Sequence, residues 1–288
     1  MRALILGSNG QLGQALIDTV PDGVEYVSLD LPELDIVNAD RLRGSCREAK
    51  PDIIINAAAY TAVDLAETEI ELATAVNVDG ARNVAGAARD VGARLIHIST
   101  DFVFDGKAST PYKTGAVTKP LSIYGRTKRD GELAVLEALP EDAVVVRTAW
   151  LYSKTGNNFV KTMLRLMADR DELSVVSDQI GTPTWADSLA TALWAFADRP
   201  GLAGIFHWTD GGTANWHDFA KAIQEEAFTL GLLDRTIPIH AISSDEYPTA
   251  ATRPRYSVLD CSTSCAALDL RRPEWRVNLR KMLKGMAT

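Results

Sequence analysis

Tyr124 and Lys128 stand four residues apart in the run Tyr124-Gly125-Arg126-Thr127-Lys128, a spacing that puts a phenol and an ammonium on one helix face about a turn apart. A tyrosine hydroxyl, with an ordinary pKa near ~10, moves protons poorly at neutral pH. A neighbouring cation favours the phenolate and lowers that value, so the pair predicts a general acid. Such an acid can protonate an alkoxide as hydride reaches a carbonyl carbon, which is reductase chemistry. The same spacing also arises by chance on any helix, so the pair needs company.

Company comes from three other runs. His97-Ile98-Ser99-Thr100-Asp101 closes a predicted strand, and a hydroxyl there, Thr100 first with Ser99 beside it, can polarise a carbonyl where negative charge develops. A Ser-Thr pair after a strand equally fits a plain cap or turn. Gly7-Ser8-Asn9-Gly10-Gln11-Leu12-Gly13 follows a predicted strand and opens a helix. In that context glycines make a tight turn, admit a pyrophosphate and let helix and strand pack closely. Asp30, ending the second predicted strand, is placed to bond an adenosine ribose and repel a 2′-phosphate, favouring NADH over NADPH. Arg41 and Arg43 downstream oppose that preference, and Asp30 also suits a turn before Pro32. The small side chains of Asn56-Ala57-Ala58-Ala59-Tyr60-Thr61 leave room beyond a strand end for a flat ligand, or for a closely packed helix.

The elements that must carry these residues alternate β-branched runs with helical patterns. Strands are predicted over 3–6, 25–29, 53–56, 94–99 and 143–147, with helices starting near Gly10, Ala39, Glu69 and Ile123. Ile53-Ile54-Ile55 has no polar face, as an interior parallel strand requires. The fold class is therefore α/β, a Rossmann-type doubly wound parallel sheet with a smaller α/β lobe. The sheet domain is assigned to 1–150 and a mainly substrate-binding lobe to 151–288, with some segments of the second part returning to the sheet. In that part helices are predicted over 158–168, 186–196 and 216–230, short strands over 173–176 and 205–208, and an ordered loop over 237–255 with its three prolines.

The glycine turn, Asp30, a hydroxyl after the fourth strand and the Tyr-Lys helix, in that order, resemble the extended short-chain dehydrogenase/reductase superfamily. Further runs narrow the resemblance to the dTDP-4-dehydrorhamnose reductase family: Gly10-Gln11-Leu12-Gly13, the stretch Asn56 to Asp64, Ser99 to Phe104, Arg147-Thr148-Ala149-Trp150, Gly156-Asn157-Asn158-Phe159 and Asp178 to Thr184. The resemblance implies reduction of the C4 ketone of a dTDP-sugar with NADH or NADPH. It implies a catalytic set of Thr100, Tyr124 and Lys128, with Lys128 also on the nicotinamide ribose. Cofactor contacts are implied at Gly7, Gly10, Gln11, Leu12, Gly13, Asp30, Asp35, Ile36, Ala59, Tyr60 and Thr61, and substrate contacts at Thr100, Asp101 and Trp150. Related dehydratases carry an acid where this chain has Phe102, which disfavours water elimination. Another NDP-4-keto-sugar reductase, an epimerase or a noncatalytic regulatory subunit also fits the motifs. Some family members are magnesium-bridged dimers using a glutamate in the first helix; this chain has Ala15 there, so no metal is expected and the protein is a monomer or homodimer.

Other signals are weaker. Trp150 can close over a sugar or base, or fill a core. Asn157, Asn158 and Phe159 can cap a helix. Arg253 and Arg255 suit a diphosphate or a solvated surface. Glu67, Glu69 and Glu71 read as a water-facing run, and His207, Trp208, Trp216 and His217 as packing residues. Thirty basic against thirty-eight acidic residues give a net charge of -8, which argues against nucleic acid as a partner. No apolar run reaches the ~18 residues of a membrane span, and a start that runs straight into a strand predicts a cytoplasmic protein. Three cysteines, Cys46, Cys261 and Cys265, form neither a disulfide framework nor a metal set.

Overall fold

The computed structural model describes residues 1–287. Six strands, β1 (Arg2–Leu6), β2 (Glu25–Leu29), β3 (Ile53–Asn56), β4 (Arg94–Thr100), β5 (Ala143–Thr148) and β6 (Gly204–His207), form one sheet in the order β2-β1-β3-β4-β5-β6. Every neighbouring pair is parallel. Because successive side chains point to opposite faces, the apolar strands supply two cores at once. Ile5, Ile53, Ile55, Ile96 and Val146 meet α1 (Gln11–Asp18) and a later helix at Ala186–Ala197. Leu4, Leu6, Ile54, Leu95 and Val145 meet α2 (Ala39–Ala49), α3 (Ala81–Val91) and α4 (Ile123–Ala138). All four residues of β3 are buried, and burying each isoleucine side chain contributes ~1.5–3 kcal/mol. This is the doubly wound sheet read from the sequence. Its last strand and the helix at Ala186–Ala197 come from beyond residue 150, so the chain re-enters the first layer after leaving it.

The second lobe has its own core, in which Tyr152, Met163, Met167, Phe219 and Leu279 join α5 (Phe159–Asp169), a helix at Trp216–Thr229 and a C-terminal helix at Trp275–Ala287. Besides the short helix at Ser262–Leu268, two features depart from the sequence expectation. Ile239–Ile242, inside the segment expected to be a loop, pairs in parallel with Leu173–Val176, and a helix at Trp275–Ala287 is present where none is expected. Ile239–Ile242 has no buried residue and sits just after Pro238, so its period-2 signal is weak.

Helix α4 lies in very close contact with neighbouring backbone. A Cβ on Gly125 would fall 2.2 Å from the Phe102 carbonyl oxygen, and one on Gly131 would fall 2.1 Å from that of Asn77. The helix therefore meets main chain at two places along its length, a fit that only glycine allows. Asn77 lies in a π-helical stretch, Ala75–Gly80, that leads into α3, a wide turn of the kind concentrated at functional sites. Gly131→Ala should force the helix outward and lower unfolding free energy by about 1–3 kcal/mol, the usual cost of overpacking. Urea denaturation measures it; an unchanged midpoint would mean that the close approach is not required.

Candidate active site

The carboxyl ends of β1, β3 and β4 and the first turn of α4 bring the chemistry-bearing residues to one sheet edge, where ligands of open α/β sheets bind. Gly7 has φ +79, a left-handed conformation, and a Cβ there would lie 2.5 Å from the Ala58 nitrogen; a Cβ on Gly13 would lie 2.2 Å from the Gly7 oxygen. These two glycines serve the protein's own packing. Gly10 is different: its nearest neighbour to an added Cβ is the Gly7 oxygen at 3.4 Å, so it faces free space. Gly10 is also the N-cap of α1, makes no side-chain cap, and is followed by a first turn without acidic residues. Unpartnered N–H groups at a helix start, with a smooth glycine surface beside them, fit the pyrophosphate of a dinucleotide.

Around that turn, several side chains do something other than what the sequence suggested. Asp30 accepts from the Asn9 and Leu31 N–H groups, both at 2.7 Å, so its carboxylate clasps the glycine loop. Leu12 and Ile36 are buried in the two cores, which leaves only their backbone to a ligand. The Gln11 amide reaches the second lobe, accepting from Ser153 Oγ (3.1 Å) and Asn158 Nδ2 (3.0 Å). Asp35 accepts from Val37 N–H, and Asn83 donates to the Ile36 and Val37 carbonyls, fixing that loop. Arg43 pairs with Asp90 at 3.3 Å, which draws it to α3. Ala59 is half-buried and Thr61 exposed. Tyr60 is tied at both ends: its hydroxyl donates to Glu69 (2.6 Å), and its backbone exchanges hydrogen bonds with the buried Asn77 amide (2.9 and 3.1 Å). Asn77 also donates to Thr127 Oγ1 at 3.1 Å, joining the loop to α4. Sequence reading missed Asn77, whose only signal was a polar residue amid an apolar helical pattern. The acidic run is likewise not simply water-facing, because Glu67 accepts from Ile123 N–H and holds the start of α4.

At the reacting end, Ser122 caps α4 by accepting from Gly125 N–H, and the next turn presents Tyr124 and Lys128 to β4. Thr100 lies against the Tyr124 phenol, and Phe102 meets the same ring edge-on at 5.5 Å. Thr100 also fulfils the plainer reading, since its hydroxyl accepts from Phe102 N–H (3.2 Å) and donates to Asp101 (3.0 Å). Lys128, only 3% exposed, donates to the Ile98 carbonyl at 2.7 Å. Burial pushes the phenol up to about 12; the Thr100 hydroxyl opposes this, and the nearby Asp101 charge adds to it by less. The expectation that Lys128 lowers the Tyr124 pKa is therefore corrected: desolvation dominates, and the ammonium is turned to a backbone oxygen. Burial also pushes Asp101 up to about 6 and leaves its Oδ2 without a partner. Trp150 is held by packing in this structure. Its indole stacks on Trp216 at 3.6 Å, Gly181 backs onto it so closely that a Cβ would fall 2.6 Å away, and its φ of 46 is left-handed.

The weaker candidates serve mainly to hold the lobes together. Asn158 caps α5 by accepting from Lys161 N–H, and Asn157 offers its carbonyl to Gln11. Arg253 is bound to Asp64 by two contacts, 2.7 and 3.1 Å, which links the lobes; Arg255 is exposed. Beside Trp216, Phe159, Gln179, Tyr247 and Arg253 line a cavity of about 730 Å³. Among the described residues no group of His, Cys, Asp and Glu could hold a metal, the cysteines are free, and no helix is long and apolar enough to cross a membrane.

The family described as RmlD substrate binding domain matches residues 1–288. The chain belongs to that family. It is 42% identical to a dTDP-4-dehydrorhamnose reductase of Sinorhizobium fredii, over 98% of this chain and 97% of the relative. Among solved structures, the dTDP-4-dehydrorhamnose reductase of Clostridium acetobutylicum superposes with a TM-score of 0.93 at 40% identity and covers 100% of both chains. That of Bacillus anthracis, determined in complex with NADP, gives a TM-score of 0.92 at 39% identity over 98% of each chain.

Burial lowers the Lys128 ammonium to about 8, so its charge is lost as pH rises through that value. Affinity for NADPH, read by fluorescence, should therefore weaken several-fold between about pH 7 and pH 9, and Lys128→Met should remove that dependence. A flat wild-type profile would mean that the ammonium does not bear on the dinucleotide.

Proposed function

We propose that this protein reduces the C4 ketone of dTDP-4-dehydro-L-rhamnose to dTDP-L-rhamnose, with Thr100, Tyr124 and Lys128 as its catalytic residues. The observation that carries the reading is that Thr100 lies against the Tyr124 phenol, on the helix that also buries Lys128, at the sheet edge that holds a glycine turn shaped for a dinucleotide, in a chain whose relatives bear that activity in their names. A bound dinucleotide, NADPH or NADH, would supply hydride to the sugar C4; the Bacillus anthracis relative was determined with NADP. As the C–O π pair moves onto oxygen, Tyr124 gives that oxygen its proton. A phenol held near 12 keeps its proton at neutral pH and yields it only to a strong base such as a developing alkoxide. Thr100 steadies the same oxygen by turning its hydroxyl from Asp101, and Lys128 offsets the phenolate charge that remains. Phe102 packs on the phenol where a dehydratase would need an acid, which keeps the chemistry to proton donation from one group.

Gly10 and the first N–H groups of α1 would hold the pyrophosphate, and Asp30 the adenosine ribose. Asp30 shares its charge with two backbone donors, which softens its repulsion of a 2′-phosphate and supports use of NADPH. The nucleotide end of the substrate is assigned to the cavity beside Trp216, with Arg253 within reach of the diphosphate after release from Asp64.

Tyr124→Phe should bind NADPH normally and lose about 10²-fold or more in turnover. Assay with 4-deuterated NADPH and dTDP-4-dehydro-L-rhamnose should place one deuterium at the sugar C4. Full turnover by the variant, or product without label, would reject the reading.

A further inference from the structure

The face of α4 that carries Tyr124 and Lys128 continues one turn further to Glu132, a residue the proposed chemistry does not use. Glu132 and its partner Arg147, on β5, are each 2% exposed. The guanidinium grips the carboxylate with two parallel bonds, Nε to Oε1 at 2.8 Å and Nη2 to Oε2 at 2.7 Å. Arg147 is braced from behind: Nη1 donates to the Thr114 carbonyl at 3.3 Å, and the guanidinium carbon lies 5.1 Å over the Phe104 ring. A pair this deep is often no more stable than a well-packed apolar replacement. Next to it, α4 and β5 meet through Val135, Leu139 and Val145, so apolar packing is available to this interface. The ion pair calls for another reason.

We infer that Glu132 and Arg147 are a positioning pair for Lys128: the carboxylate keeps the neighbouring ammonium charged and in place, and the arginine holds the carboxylate at its distance. The inference rests on the catalytic role proposed for Lys128. The groups facing Lys128 support it. On its own helix these are Tyr124, which is uncharged, and Glu132. On β4, His97 has Nδ1 accepting from Asn56 Nδ2 at 3.2 Å, and burial with the Lys128 charge keeps this ring neutral. Behind Glu132 stand Arg147 and His207, and burial beside Arg147 holds His207 down to about 3, so it too is neutral. Asp101 acts on the phenol of Tyr124. Among the described residues, Glu132 is the one anion that opposes the desolvation of Lys128. Without the arginine, an unpaired carboxylate one turn away would draw the ammonium toward itself and off the Ile98 carbonyl. With it, the attraction is present and the geometry is fixed.

The test is the titration of Lys128, followed through its ε-methylene ¹³C signal in the ligand-free protein, alongside the pH profile of turnover. The wild-type midpoint should lie at about 8. In Glu132→Gln it should fall by about one unit, and the high-pH limb of turnover should fall with it. Because Glu132→Gln strands a buried guanidinium, the double variant Glu132→Gln with Arg147→Met serves where the single one does not fold; its midpoint should also fall. A purely structural pair would lower Tm and leave the Lys128 midpoint at its wild-type value, and that result in either folded variant overturns the inference. A shifted midpoint with an unshifted turnover limb would uphold the pair's effect on Lys128 while rejecting the catalytic role of the lysine itself.

Discussion

The close seating of α4 against the end of β4 is the constraint on which the rest of the site depends. Phe102 and Asn77 press backbone oxygens into places that only Gly125 and Gly131 leave free, so the helix cannot lie farther out without opening gaps or closer without clash. Its first turn then has to present Tyr124 beside Thr100, and its second has to bury Lys128 over the carbonyl of Ile98. Asn77 ties this helix to the Tyr60 loop, and Glu67 ties its start to the turn that follows Asp64. The catalytic geometry is thus a property of backbone contact more than of the side chains that do the chemistry.

Placing two titratable groups in so dry a region has a cost, visible in the opposite displacement of their pKa values. The phenol moves up to about 12 and the ammonium down to about 8, each toward its neutral form. The first displacement suits a proton donor, and the second leaves the lysine charged at neutral pH with little to spare. The lobes are joined by polar clasps of a different kind. Gln11 reaches Ser153 and Asn158, and Asp64 holds Arg253, so the faces that would enclose a dinucleotide and a sugar nucleotide already touch.

Much of this was legible in the sequence, for identifiable reasons. Strands such as Ile53-Ile54-Ile55 advertise a sheet covered on both faces, and a Gly-rich turn between strand and helix has few other uses. The Tyr-Lys spacing and the hydroxyl at Thr100 could be assigned because helix and strand periodicities are fixed. What escaped were facts of tertiary contact. Nothing local marks Asn77 as the link between loop and helix, Trp150 as a clamped ring, or Leu12 and Ile36 as core residues with only backbone to offer. The sign of the Tyr124 displacement was misread because burial, which sequence spacing does not reveal, outweighs a cation whose donor points elsewhere.

The role of Tyr124 as proton donor can be seen in a crystal structure with NADPH and dTDP-L-rhamnose bound. The Tyr124 hydroxyl should lie within hydrogen-bond reach of the sugar C4 oxygen, about 2.6–3.2 Å, with Thr100 on the same oxygen and Gly10 against the pyrophosphate. A phenol pointing away from that oxygen, with another group or a water delivering the proton, would contradict it.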